Sequence, residues 1–174
     1  MRSKMLITQA ALAAVALLFT SAAGAALSLI ECDDPAVPGA EANEMAPAYC
    51  AIGTTPNDNP STEAGVINDV FASELGTVAD PFFFIAKYEI EGCVECLPGF
   101  NLTAMDAEEP WDYMFQLLTD YDGQVVDFVL MVKQPGGPED ATNMAYAWTG
   151  LTLDIDGFYN SFNSDYSHIS AFIR

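Results

Sequence analysis

Short apolar segments separated by turn-forming residues constrain this sequence of 174 residues more than any other feature. The most apolar of them, VVDFVLMV at 125–132, stops just before a Pro-Gly-Gly sequence that begins at Pro135. A run without polar alternation is typical of a strand buried on both faces. Further strand-like segments recur roughly every 10 to 15 residues from position 81 onward, and they read PFFFIAKYEIEG, FNLTAMDA, WDYMFQLL, NMAYAWTGLTL, GFYNSF and YSHISAFI. This pattern predicts an all-β fold, an antiparallel β-sandwich of jelly-roll-like form.

The region before these strands has a different composition. Residues 26–61 are rich in Pro, Gly, Asn and Asp without an apolar period, which predicts a loop-rich segment. In VINDVFASEL at 66–75, Asn68 and Asp69 are weak helix formers, so we expect a short strand or one helical turn. The predicted β-sandwich domain spans 62–174.

The first 25 residues have the pattern of an export signal. Arg2 and Lys4 precede an apolar, Ala-rich run that ends in Ala23-Gly24-Ala25, which predicts a signal peptide over 1–25 cleaved before Ala26. A retained membrane anchor is the alternative. Because no anchoring segment follows before Arg174, we expect a secreted protein without a membrane anchor in the mature chain, or a periplasmic one.

The charge balance limits the partners of this protein. Without Arg2 and Lys4, three basic residues (Lys87, Lys133 and Arg174) oppose 25 acidic ones. Such a surface repels nucleic acid and anionic membranes, which excludes proteins that bind either through a basic patch. Extracellular polysaccharide and self-association remain as partners.

Four cysteines indicate two disulfides in an exported chain. Local pairing of Cys32 with Cys50 and of Cys93 with Cys96 is the first expectation among three possible pairings. The GCVECLPG sequence also matches redox and zinc motifs. The surrounding acidic residues oppose a reactive thiolate and a second ligand pair is missing, so a structural disulfide is favoured.

Several segments together resemble exported bacterial proteins of the PEP-CTERM-associated type. The resemblance rests on their order: Trp111, then Val132-Lys133, then AYAW at 145–148, then Ser167-His168-Ile169-Ser170. It covers roughly 49–174 and implies a β-rich extracellular domain of unassigned activity in bacteria that make exopolysaccharide. The C-terminal sorting signal usual in that group does not follow the Ser-His-x-Ser strand here.

Calcium is the cofactor that the sequence allows, because Asp-rich turns offer the oxygen ligands that this ion prefers. The candidate ligands are Asp120, Asp122, Asp154, Asp156, Asn57 and Asp58. An Asp-Gly turn without metal is the favoured interpretation of the first two pairs. No other cofactor is expected.

Exposed aromatic rings would suit carbohydrate, since flat amphipathic rings stack on pyranoses. The candidates are Trp111, Tyr113, Tyr146 and Trp148, although core packing accounts for buried rings as well.

A catalytic role is not expected for His168, the single histidine. Strand alternation places it on one face with Tyr166, Ser170 and Phe172, and no G-x-S-x-G sequence supplies a nucleophile. We therefore predict a secreted, non-enzymatic extracellular protein, a matrix- or carbohydrate-associated binding or structural module. A calcium-stabilised, self-assembling or adhesive surface subunit is the alternative, and a secreted hydrolase using acids such as Glu108 and Glu109 is the least favoured.

Overall fold

The described residues form two antiparallel sheets and two short helices. The computed structural model describes residues 26–33, 40–42, 45–55, 59–89, 92–105, 113–134, 143–153, 158–162 and 166–174. The signal peptide predicted over 1–25 lies outside these residues. In the part of the chain that is described, no helix combines the length and the apolar character needed to cross a membrane. The predicted antiparallel β-sandwich is confirmed.

The larger sheet has seven strands in the order β1-β3-β9-β8-β11-β4-β5. Their bounds are β1 Ala26–Ile30, β3 Tyr49–Thr54, β4 Phe83–Glu89, β5 Gly92–Cys96, β8 Val125–Lys133, β9 Asn143–Thr152 and β11 His168–Ile173. Every neighbouring pair is antiparallel. The apolar run at 125–132 lies within β8 and its side chains from Phe128 to Val132 are all buried, as the sequence predicted for a strand covered on both faces.

The smaller sheet has four strands in the order β2-β10-β7-β6. Their bounds are β2 Ala40–Ala42, β6 Phe100–Met105, β7 Tyr113–Thr119 and β10 Phe158–Phe162. The turn at Asp122-Gly123 joins β7 to β8, so it connects the two sheets and does not close a hairpin. Gly123 adopts a φ of 71°, a left-handed conformation that glycine accommodates without steric cost.

Of the two expectations for 66–75, the short strand was wrong and the helical turn was right in type but too short. Helix α1 spans Pro60–Val70 and a short helix α2 spans Ala72–Leu75. The Asn59 side chain caps α1 by accepting a bond from the Ser61 N–H at 2.9 Å, and Pro60 occupies the first turn. Asn68 is a weak helix former, but its side-chain amide is held by two hydrogen bonds. Its Nδ2 donates to the Phe82 carbonyl at 3.0 Å, and its Oδ1 accepts from the Phe82 N–H at 2.8 Å.

Residues 26–61 were predicted to be loop-rich, and this too was wrong in part. They supply β1 and β3 to the larger sheet and β2 to the smaller one. The pairing of β3 with β9 is a long-range interaction that a local pattern rich in turn formers does not reveal.

Apolar side chains pack on both faces of the larger sheet. The inner core lies between the sheets and includes Leu102, Phe128, Leu130, Tyr146 and Trp148. The outer core lies where α1 covers the opposite face of the larger sheet, and it includes Ile67, Phe71, Val129, Met131 and Phe172.

Candidate functional site

Both disulfides join the partners that the sequence suggested. Cys32 is bonded to Cys50 with a Cα–Cα distance of 5.2 Å, and Cys93 to Cys96 with 6.1 Å. Both distances are ordinary for disulfides. The first bridge ties the end of β1 to β3. The second lies within β5. Strands β1 and β5 are the two edge strands of the larger sheet.

A surface groove of about 470 Å³ lies beside the first disulfide. Its walls are the end of β1, the start of β3 and helix α2, and it is lined by Leu29, Ile30, Glu31, Cys32, Pro47, Ala48, Tyr49, Cys50 and Glu74. Tyr49 is half-buried, whereas Glu31 and Glu74 are exposed. The volume is within the usual range of small-molecule sites. The lining therefore includes one aromatic residue, two acidic residues and the disulfide that joins Cys32 to Cys50.

His168 lies in a different place, beneath the first turn of α1. Its side chain is 3% exposed, and Nε2 lies 2.9 Å from Oε1 of Glu63, whose side chain is fully buried. The predicted alternation holds from His168 to Phe172, but Tyr166 precedes β11 and contacts Tyr88 at the inner core. The histidine thus links α1 to β11.

The surroundings of this pair are polar although they are buried. His168 lies between Glu89 and Lys133 in the register of the sheet, and Ser170 lies next to Lys87. Three buried polar atoms have no hydrogen-bond partner among the described residues: Glu63 Oε2, Asn143 Oδ1 and Ser170 Oγ. Ser170 is fully buried and its Oγ makes no hydrogen bond within the described ranges, so these residues do not show a serine hydroxyl bonded to the His168 imidazole.

The basic residues beyond the predicted signal peptide are all near the outer face of the larger sheet. Lys87 is 5% exposed and its Nζ lies 3.2 Å from Oε1 of Glu89. Lys133 pairs with His168 across β8 and β11. Arg174 is held by Asp127, with Nη2 to Oδ2 at 2.7 Å. None of the three lines the groove.

Two of the four candidate stacking residues are core residues, so this part of the prediction was wrong. Tyr146 and Trp148 are each 1% exposed and pack with Phe128 in the inner core. The indole N–H of Trp148 donates to the Met45 carbonyl at 2.9 Å, which satisfies its polar atom. Tyr113 begins β7, but its side chain lies outside the described residues, as does Trp111 altogether.

Two of the six calcium candidates lie among the described residues. Asp120 and Asp122 are exposed at the turn between β7 and β8. Asn57, Asp58, Asp154 and Asp156 lie outside the described residues. Within the described ranges, no three side chains of the His, Cys, Asp or Glu type come together as a metal site would need.

Sequence reasoning missed the groove and the partner of His168. Tyr49, Glu31 and Glu74 are distant in sequence, and only the pairing of β1 with β3 and the position of α2 bring them together. Glu63 is 105 residues from His168. The one available signal was Asn59-Pro60 before Ser-Thr-Glu, which is typical of a helix start and would have placed Glu63 near the first turn.

Comparison of the chain with protein-family models, with curated proteins and with solved structures gave no match in any of the three.

Proposed function

We propose that this protein is a secreted, non-enzymatic extracellular module that associates with matrix carbohydrate through the groove beside the Cys32–Cys50 disulfide. The observation that carries the proposal is the lining of this groove, which includes one aromatic residue, Tyr49, and two acidic residues, Glu31 and Glu74. Aromatic rings offer a flat apolar surface to a pyranose, and carboxylates accept hydrogen bonds from its hydroxyl groups.

The location of the groove supports binding with little reorganisation. The disulfide fixes the end of β1 against β3, and Tyr49 pairs with Ala147 in the register of the larger sheet. A site whose walls are already held loses less conformational entropy when a ligand binds. The export signal, the two disulfides and the resemblance to exported bacterial proteins support an extracellular setting for this role.

The proposal is tested by titrating the mature chain with soluble oligosaccharides in a calorimeter. Tyr49→Leu keeps apolar volume at the groove and removes the ring, so we expect about a tenfold loss of affinity, equal to about 1.4 kcal/mol. The matched control is Tyr121→Leu, which removes a ring that is 41% exposed elsewhere and should leave binding unchanged.

Absence of binding to every oligosaccharide, or an equal effect of both substitutions, would contradict the proposal. Thermal denaturation of both variants shows whether either result comes from unfolding.

A calcium-stabilised, self-assembling subunit is the second candidate, favoured by the two sheet edges. Leu29 on β1 and Val94 on β5 are 43% and 48% exposed, and unpaired strand edges can add further strands. A melting temperature that falls by several degrees in EDTA, together with loss of oligomers, would favour this candidate over the first.

A further inference from the structure

We infer that the groove selects sugars that carry free amino groups, so that its ligand is a cationic polysaccharide of hexosamine units. This inference rests on the proposed function, because it names the class of carbohydrate that the same groove would take. It depends on the charges of the lining and on where the basic residues of the chain lie.

The groove has two negative groups and no positive one. Glu31 and Glu74 belong to its lining, and none of its nine residues is basic. Lys87 lies against Glu89 and Arg174 against Asp127, and Lys133 lies opposite His168 in the register of the larger sheet. A ligand that brings an ammonium group therefore supplies a counter-charge that the described lining of the groove lacks.

An ammonium group also matches the other parts of the lining. It donates three hydrogen bonds, which suits two carboxylates, and it is attracted to the face of an aromatic ring such as that of Tyr49. A uronic acid polymer would be repelled by Glu31 and Glu74. A neutral sugar would keep the contact with the ring and lose the ionic contribution.

A lysine-rich protein is another source of ammonium groups, and the lining favours the sugar. A lysine side chain has no hydroxyl groups for the carboxylates and no rigid ring to lie on Tyr49, whereas a hexosamine unit has both. A calcium ion is disfavoured because it needs six to eight oxygen ligands, and the groove supplies two carboxylates.

The test compares four probes on the disulfide-bonded mature chain: a glucosamine pentamer, the same pentamer fully N-acetylated, a glucuronic acid pentamer and pentalysine. We expect the glucosamine pentamer to bind at least tenfold more tightly than the acetylated one at low salt, and the advantage to shrink as salt rises. The Glu31→Gln/Glu74→Gln variant should lose this advantage while its affinity for the acetylated pentamer changes by less than about twofold. The control Glu95→Gln, at an exposed carboxylate of β5, should keep it.

Equal binding of the two glucosamine pentamers through Tyr49 would overturn the inference and leave the proposed function standing. Binding of none of the sugars would overturn both. Pentalysine binding as tightly as the glucosamine pentamer and surviving Tyr49→Leu would identify a basic protein as the partner and would also overturn the inference.

Discussion

The larger sheet is buried on both faces, but the two faces are built from different chemistry. The described residues of the inner core include no charged side chain, and its largest members are Trp148, Tyr146 and Phe128. The outer face buries Glu63, Lys87 and His168 among its apolar residues. Apolar packing is not directional, whereas hydrogen bonds and ion pairs require one geometry. We conclude that packing at the inner face contributes most of the free energy of unfolding, and that the polar contacts at the outer face determine the position of α1.

The bonds between α1 and the sheet agree with this division. Glu63 bonds to His168 at one end of the helix, and Asn68 bonds to Phe82 near the other end. Both contacts use atoms with fixed positions, so a shift of α1 by one residue would break them. Burying polar groups is costly unless they are hydrogen-bonded, and such specificity of position is a benefit that can offset the cost.

The largest effect is expected from the inner core. Trp148→Ala removes the largest fully buried side chain and leaves a cavity, so we expect the free energy of unfolding to fall by about 3–5 kcal/mol. Urea denaturation followed by circular dichroism measures this change. The control Val125→Ala, at a side chain that is 66% exposed, should change stability by less than about 0.5 kcal/mol. Similar losses in the free energy of unfolding for both variants would show that the inner face of the larger sheet is not the main source of stability.

A second prediction addresses the outer face. Glu63→Leu removes the hydrogen-bond partner that α1 gives to the buried His168 Nε2, and we expect the free energy of unfolding to fall by up to about 3 kcal/mol. The double variant Glu63→Leu/His168→Leu removes both polar groups, so it should be more stable than the sum of the two single variants predicts. Additive effects in the same urea experiment would mean that the pair is not coupled.

Arg174 should have an intermediate effect. Its guanidinium donates to Asp127 and to the carbonyls of Leu75 and Asp80, and it lies 5.1 Å from the centre of the Phe82 ring. We expect Arg174→Met to lower stability by about 2 kcal/mol because it leaves Asp127 without its ion pair. Arg174→Lys keeps the charge and loses the planar guanidinium, so it should recover only part of the stability that Arg174→Met loses. Full recovery by lysine in the same denaturation assay would show that the two N–H groups that donate to Asp127 Oδ2 are not both needed.

The smallest effect at neutral pH is expected from the phenol of Tyr146. Burial raises the pKa of this group, and its hydroxyl lies 3.5 Å from Met144 Sδ. Above pH of about 10 the unfolded chain releases this proton and the folded chain keeps it, so stability falls as pH rises. Tyr146→Phe removes that contribution, and the stability curve should be flatter by up to about 1.4 kcal/mol per pH unit. Identical curves between pH 9 and 11 would show that the group does not resist ionisation.

The sequence predicted those parts of the fold whose signal is local. The uninterrupted run in β8 and the pairing of nearby cysteines each follow from residues close together in the chain. The helical turn predicted at 66–75 was shorter than helix α1 because Asn68 and Asp69 weaken the helical pattern, and the tertiary bonds of Asn68 compensate for this. Strand β3 was missed because its pairing with β9 joins distant residues.

The candidate site was less predictable than the fold. The rings of Tyr146 and Trp148 are like that of Tyr49 in chemistry, and only the packing of the two sheets decides which of them is buried. No pattern within a few residues distinguishes a ring in the core from a ring in a groove. The contact of Glu63 with His168 depends on the same long-range arrangement.

Strand β11 joins two groups of strands that do not pair with each other directly. It lies between β8 and β4, with His168 opposite both Lys133 and Glu89. Until β11 inserts, the ribbon β1-β3-β9-β8 and the hairpin β4-β5 each present an open row of N–H and C=O groups. Deleting 168–174 should therefore create two adhesive edges prone to aggregation. In the intact chain, β11 pairs with strands that are distant in sequence, and such non-local pairing should make folding slow.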